Sequence, residues 1–114
     1  DFTIYSGNDD QIVPILSLGG SGVISVLANV LPKETHDIVE KYLAGDVVES
    51  RKLQLGVNEL VSSLFIEVNP IPVKAAMNLM GMEAGELRLP LTNISEQNLE
   101  ILRNNMMKYG IKVD

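Results

Sequence analysis

The strongest constraint on this chain is the stretch Gly19-Gly20-Ser21-Gly22-Val23-Ile24-Ser25-Val26-Leu27-Ala28-Asn29-Val30-Leu31-Pro32. A tight glycine cluster feeds a short β-branched run, which passes through small and amide residues to Pro32 and a helical pattern. Upstream, Phe2-Thr3-Ile4-Tyr5 is β-branched and aromatic and stops at Ser6-Gly7, which reads as a buried strand ending in a turn. Between the two runs, Asp9 or Asp10 can cap a short helix through Leu18, with Ile12, Ile15 and Leu16 on one face. Pro14 suits that helix only in its first turn. Gly19-Gly20 ends it, and Val23-Ile24-Ser25-Val26 makes the second strand. Strand, short helix, strand is a βαβ unit, and such a crossover implies parallel pairing. Continuous apolar strands suit a parallel sheet covered on both faces, and two strands alone do not make a stable sheet. The pattern asks for neighbours that these residues do not include.

From Pro32 onward the pattern is helical. Pro32 suits a first helical position, with Glu34 and Asp37 near the positive end of the dipole. Ile38, Val39, Tyr42 and Leu43 form the apolar stripe, and Gly45 stops it. Asp46 caps a longer helix whose apolar positions include Val47, Leu53, Val57, Leu60, Leu64 and Phe65. Gly56 inside it costs about 1 kcal/mol against Ala, which points to close backbone packing there. Asn69-Pro70 breaks that helix. Pro72 opens the next, with Val73, Ala76, Met77 and Met80 facing inward before Gly81. Glu83 to Asn93 reads as a loop, and Ser95 caps a last helix carrying Leu99, Leu102 and Met106, closed by Gly110. The best internal boundary is Gly45-Asp46.

Composition narrows the function classes. The net charge is −6 and no segment concentrates Lys or Arg, which disfavours nucleic-acid and anionic-membrane partners. The chain has no Cys, so disulfides, thiol nucleophiles and Cys-based zinc sites are excluded, as suits a cytoplasmic protein. No apolar run approaches the roughly 20 residues of a bilayer span. His36 stands alone in a charged helical segment and reads as a surface residue. Gly19-Gly20-Ser21-Gly22 lacks the Lys-Ser/Thr of a phosphate loop and is followed by a strand. Met77, Met80, Met82, Met106 and Met107 read as adaptable core or subunit-contact surface. No cofactor or metal is called for.

Tyr5-Ser6-Gly7-Asn8-Asp9-Asp10, Gly22-Val23-Ile24-Ser25-Val26 with Ala28-Asn29-Val30-Leu31-Pro32, and Asn69-Pro70-Ile71-Pro72-Val73-Lys74 occur in this order. Together they resemble the dihydrodipicolinate synthase family of pyruvate-dependent aldolases. Leu87-Arg88-Leu89-Pro90-Leu91 is similar to a segment near the family C-terminus. The resemblance implies an α/β fold: the C-terminal part of a (β/α)8 barrel, its last two βα units at residues 1–45, with a C-terminal helical extension at 46–114. In isolation the chain is expected to be mostly helical, since a whole barrel takes about 250 residues.

The resemblance also implies the chemistry. In the family a lysine amine condenses with pyruvate, the imine lets a methyl proton leave, and the enamine attacks L-aspartate 4-semialdehyde. That is covalent catalysis by a Schiff-base lyase, here for lysine biosynthesis by way of diaminopimelate, in homotetrameric enzymes. In the family the lysine, the proton-relay tyrosine, the carboxylate-binding threonines and the arginine for the aldehyde all map upstream of Asp1. Lys33, Lys41, Lys52, Lys74, Lys108 and Lys112 read as helical or terminal surface positions. The chain is therefore expected to supply pocket walls without the nucleophile, and to be inactive alone.

Gly7 follows a strand, where a missing side chain lets a ligand approach the backbone. From the residues alone a plain strand-to-helix turn is the preferred reading. Ile24 by itself reads as a core strand residue. The resemblance makes both of them substrate-binding: the matching glycine lines the pyruvate pocket, and the matching isoleucine contacts pyruvate while its carbonyl faces the lysine. Ser25 and Asn29 could hydrogen-bond a polar substrate or cap the following turn. Asn69 is similar to a family residue whose backbone lies near the active-site entrance, while its own sequence context makes it a helix terminator. Asp9 and Asp10 are adjacent, need not converge as an acid–base pair, and at least one is explained by helix capping.

Two rivals stand beside the synthase. One is a stand-alone helical interaction module derived from such a barrel, self-associating through uncovered apolar faces. The other is a related 2-keto acid aldolase such as N-acetylneuraminate lyase.

Overall fold

A computed structural model describes residues 1–114. Its elements are β1 (Tyr5–Ser6), α1 (Ile12–Ser17), β2 (Gly22–Val23), α2 (Pro32–Leu43), α3 (Val47–Leu64), α4 (Ile71–Leu79) and α5 (Glu96–Tyr109), with short 3₁₀ turns at Asp9–Gln11 and Leu27–Asn29. The chain packs as two compact units, 1–58 and 59–114, which divide inside α3. Packing therefore groups the first part of α3 with the N-terminal unit, beyond the Gly45-Asp46 turn.

In the N-terminal unit β1 and β2 pair in parallel, with Tyr5 opposite Gly22 and Ser6 opposite Val23. The βαβ expectation is met, and Pro14 falls in the first turn of α1. The strands are shorter than expected, however, with only Ser6 and Gly22 buried, and the residues beyond their ends are exposed. Phe2 is 91% exposed and Ile24 72%, because a two-stranded sheet has no further strand to cover its flanks. The second strand stops early because of a tertiary contact. The N–H groups of Val26 and Leu27 turn away from the ladder to the Asp9 carboxylate, both at 3.0 Å.

That contact corrects the capping expectation for the acidic pair. Asp9 does not cap its own helix, whose N-terminus has no side-chain cap. It caps the 3₁₀ turn at Leu27–Asn29 instead. Asp10 is exposed. The core of this unit is Ile12 and Leu16 of α1, Leu27, Val30, Leu31, Ile38 of α2 and Val57 of α3. Ile38 is fully buried as the stripe requires, whereas Leu43 is exposed.

α3 buries Val57, Leu60 and Leu64 as its apolar pattern predicts, but its first turns differ. Ser50 and Gln54 are buried there, and Val47 is 39% exposed. Both buried residues are polar but satisfied. Ser50 donates its hydroxyl to the Ile38 carbonyl at 2.6 Å. Gln54 donates to the Asp9 carbonyl at 2.8 Å and accepts from the Val13 N–H at 3.1 Å. Asp46 does cap α3, accepting from the Glu49 N–H at 3.2 Å. Gly56 is exposed and a Cβ there meets nothing within 4 Å, so it marks no close approach. Gly56→Ala should stabilise the chain by about 0.5–1 kcal/mol, read as a higher urea midpoint. A lower midpoint would show that the position is sterically occupied.

In the C-terminal unit, α3 ends at Leu64, well before Asn69-Pro70. Those two residues precede α4 and do not break α3. Pro72 stands in the first turn of α4, where Ile71, Pro72, Val73 and Ala76 are buried. Met77 and Met80 are half-buried and Phe65 is 39% exposed. Leu102 and Met106 of α5 are completely buried, whereas Met107 is exposed. Ser95 caps α5 by accepting from the Asn98 N–H at 3.2 Å, and Gly110 closes it in the left-handed region at φ 104°. Residues 83–94 carry no helix or strand.

Glu67 completes the start of α5. Its carboxylate accepts from the Asn98 side-chain amide at 2.8 Å and from the Ser95 N–H at 3.0 Å. These bonds, the Asn98 amide first, hold its pKa below the usual glutamate value. A folded pKa below the unfolded one stabilises at pH above the ordinary value of 4.5, and the effect fades as pH falls through the lower folded value. The melting temperature of Glu67→Gln should accordingly lie below that of the unsubstituted chain at neutral pH and converge with it in acid. A constant difference across that range would count against the linkage.

Candidate functional site

The residues singled out in the N-terminal unit gather where the two strands end. The parallel register sets Gly7 beside Ile24, and the Ile24 N–H donates to the Ser6 carbonyl at 2.9 Å. Ligands bind parallel α/β sheets at this end, because the loops there diverge and leave backbone groups accessible.

Gly7 is exposed, lies outside the left-handed region, and a Cβ built on it meets nothing within 4 Å. The turn itself thus makes no demand for glycine. What the glycine leaves is open space beside the backbone. Ile24 projects into solvent rather than into the core of its own unit, so core packing does not account for it either.

Ser25 and Asn29 are engaged locally. The Ser25 hydroxyl donates to the Asp9 carboxylate and accepts from the Ala28 N–H at 2.9 Å. The Asn29 amide donates to the Val26 carbonyl at 3.0 Å. Both side chains therefore shape the loop after β2. Asn69 is an exposed residue of the C-terminal unit, joined to Pro70 by a cis peptide bond.

The lysines all lie off the strands. Lys33 and Lys41 are on α2, Lys52 on α3, Lys74 on α4 and Lys108 on α5, while Lys112 is in the terminal segment. Lys33 pairs with Asp37 at 2.5 Å and Lys108 with Glu59 at 2.7 Å. The exposed Lys33–Asp37 pair raises the lysine pKa and lowers that of the carboxylate through their hydrogen bond, and such pairs add little stability. Lys74 donates to the Glu86 carbonyl. His36 is exposed. No group of three His, Cys, Asp or Glu side chains is arranged to hold a metal ion.

An open groove of about 390 Å³ runs beside β2, lined among others by Tyr5, Val23, Ser25, Thr35 and Val39. A second cavity, of about 380 Å³, lies between α4, the 83–94 loop and α5. Neither is lined by Gly7 or Ile24. Two strands offer a surface, and a pocket needs further walls.

Two residues shape this site in ways their local sequence does not reveal: Asp9, which the pattern offers with Asp10 as a cap for α1, and Gln54 on α3. The only trace of Gln54 was its spacing of three from Val57, which puts a polar residue on a buried stripe.

The match to known proteins is extensive. The model of the dihydrodipicolinate synthetase family matches residues 1–108. A 4-hydroxy-tetrahydrodipicolinate synthase of Acetivibrio thermocellus is 62% identical over 111 residues, covering 97% of this chain and 38% of that protein. The crystal structure of dihydrodipicolinate synthase from Thermotoga maritima superposes with a TM-score of 0.92 at 47% identity, over 97% of this chain and 38% of that one. The chloride-inhibited synthase of Acinetobacter baumannii complexed with pyruvate gives 0.90 at 40% identity, over 96% of this chain and 38% of that one. The chain thus spans somewhat over a third of the length of the relatives it matches, and its structural neighbours are (β/α)8-barrel synthases. Matched by the family model over nearly its whole length and by relatives above 60% identity, the chain belongs to the dihydrodipicolinate synthetase family.

Proposed function

We propose that this chain is the C-terminal portion of a 4-hydroxy-tetrahydrodipicolinate synthase, a lyase condensing pyruvate with L-aspartate 4-semialdehyde. In this proposal residues 1–45 are the last two βα units of its barrel and 46–114 its helical extension. The observation that carries it is the family match over residues 1–108, joined to 62% identity with a synthase of which the chain covers 38%. The exposed Ile4, Tyr5 and Ile24 support it, since strands within a closed barrel have neighbours on both edges. The relatives' names favour the synthase over N-acetylneuraminate lyase, and a match covering residues 1–108 leaves little room for a separate interaction module.

Within the parent enzyme, Gly7 keeps the pyruvate pocket open at the backbone and Ile24 contacts the substrate. The Ile24 carbonyl points its dipole at the Schiff-base amine, which orients the amine and modifies its proton affinity. Asn69 belongs to the entrance. The parent is a homotetramer of the cytoplasm, a placement consistent with a chain that lacks cysteine. No helix here is long and apolar enough to cross a membrane.

Trapping tests the proposal. A lysine amine and the pyruvate ketone lose water to form an imine, and borohydride delivers hydride to its carbon, leaving a stable secondary amine. The full-length protein should be labelled on one lysine outside residues 1–114. The isolated chain should take up no label. An adduct on Lys33, Lys74 or any other lysine of this chain would overturn the proposal.

A further inference from the structure

We infer that Asp9 is a positioning residue, whose buried carboxylate holds the loop after β2 so that the Ile24 backbone keeps the orientation required at the imine-forming lysine. The inference rests on the proposed function, and adds to it a residue that never touches substrate.

Asp9 is 1% exposed. One carboxylate oxygen takes the Ser25 hydroxyl, and the other takes the N–H groups of Val26 and Leu27, each at 3.0 Å. A buried carboxylate is costly unless hydrogen bonds satisfy it, and three donors from one loop do so here. They come from 16 to 18 residues away in sequence, so the contact is tertiary. Ser25 then accepts from Ala28 at 2.9 Å, which extends the hold by another residue.

The consequence for Ile24 is geometric. Its N–H is tethered to the Ser6 carbonyl at 2.9 Å, and the residue after it is tethered to Asp9. The Ile24–Ser25 peptide lies between these two anchors. Anchored on both sides, that peptide is held in position at the strand end. Asp9 is held in turn, because Gln54 of α3 donates to its main-chain carbonyl at 2.8 Å and also receives the Val13 N–H. A chain of hydrogen bonds therefore runs from α3 through Asp9 to the strand end.

The carboxylate is suited to this task for a reason of valence. It accepts on both oxygens, whereas an asparagine accepts on one and presents an NH₂ on the other. In Asp9→Asn the amide oxygen can still serve Val26 and Leu27. Its NH₂ then faces the Ser25 hydroxyl, which must accept where it formerly donated. The variant keeps the shape of the side chain and loosens one of its two grips.

The experiment is timed borohydride quenching of pyruvate imine formation on the full-length protein. Asp9→Asn should lower the rate constant about 10- to 100-fold, the effect of a small misplacement at a reacting group. The final trapped fraction per folded molecule should equal that of the unsubstituted protein. Ser25→Ala, which removes one donor, should fall between the two. Asp10→Asn, an exposed neighbouring carboxylate, should leave the rate unchanged. A residue that only stabilised the fold would lower the trapped amplitude with the folded fraction and leave the rate constant alone. That result, or an Asp9→Asn rate within about twofold of the unsubstituted protein, far short of a misplacement effect, overturns the inference while the proposed function stands. Failure of the unsubstituted full-length protein to trap pyruvate overturns both.

Discussion

Gly20→Ala should cost the N-terminal unit about 3 kcal/mol, near the upper end for a single methyl forced into a packed site. A Cβ at this position would lie 2.4 Å from the Ile15 Cγ2 and 2.8 Å from the Ile15 carbonyl oxygen. The first of these atoms can yield, but the second belongs to the backbone of α1 and cannot move alone. The Gly20 N–H also donates to that same carbonyl at 2.9 Å, so easing the clash stretches a hydrogen bond. Gly19 beside it sits at φ 96°, so the turn from α1 to β2 has no slack on that side. Urea denaturation would read the loss as a lower midpoint at unchanged slope. Gly7→Ala, with nothing within 4 Å of its Cβ, should leave the midpoint unchanged and, on the proposed function, act only on pyruvate binding. Equal midpoints for the two substitutions would show that Ile15 and the end of α1 yield to the added methyl without cost.

Leu102→Ala should destabilise the C-terminal unit by about 2–5 kcal/mol, the range for emptying a buried leucine site. Leu102 has no exposed surface, and neither does Met106 one turn later on the same face of α5. α5 packs on α4, whose Ile71, Val73 and Ala76 are buried. Partial collapse would depend on that helix moving inward. Ile101→Ala is the matched control, since Ile101 is 38% exposed and its truncation should cost well under half as much. Thermal unfolding followed by circular dichroism would separate them. A Leu102→Ala loss below about 1 kcal/mol would show that α5 presents a different face.

The helices were legible because their determinants are local. Pro32 opens α2, Asp46 caps α3, and Ser95 and Gly110 bound α5, all within a few residues of the backbone groups they satisfy. The extent of the strands was less legible. Val23-Ile24-Ser25-Val26 has strand composition throughout, but a strand exists only where its partner runs alongside it. Here the partner ends at Ser6, and Asp9 draws the backbone away.

The stripe on α3 held at Val57, Leu60 and Leu64 but misled at its ends, for a related reason. Val47 and Phe65 are apolar and Ser50 and Gln54 polar, so hydrophobicity alone chooses the wrong boundaries. Tertiary hydrogen bonds allowed the polar pair to be buried. Asn29 behaves as its local capping alternative suggested, because its partner lies three residues back. Ser25 does so only in part, since its other partner is Asp9.

By itself, then, the sequence determined the parallel βαβ unit, the order of the helices and their caps, and the membership of the family, because these depend on neighbouring residues or on motifs read in order. The tertiary structure alone decided that Asp9 holds the loop after β2, that Gln54 holds Asp9, and that Ile24 stands outside the core of its unit. Those facts depend on groups 16 to 45 residues apart, whose meeting is set by how the elements pack, a distance over which no local preference acts.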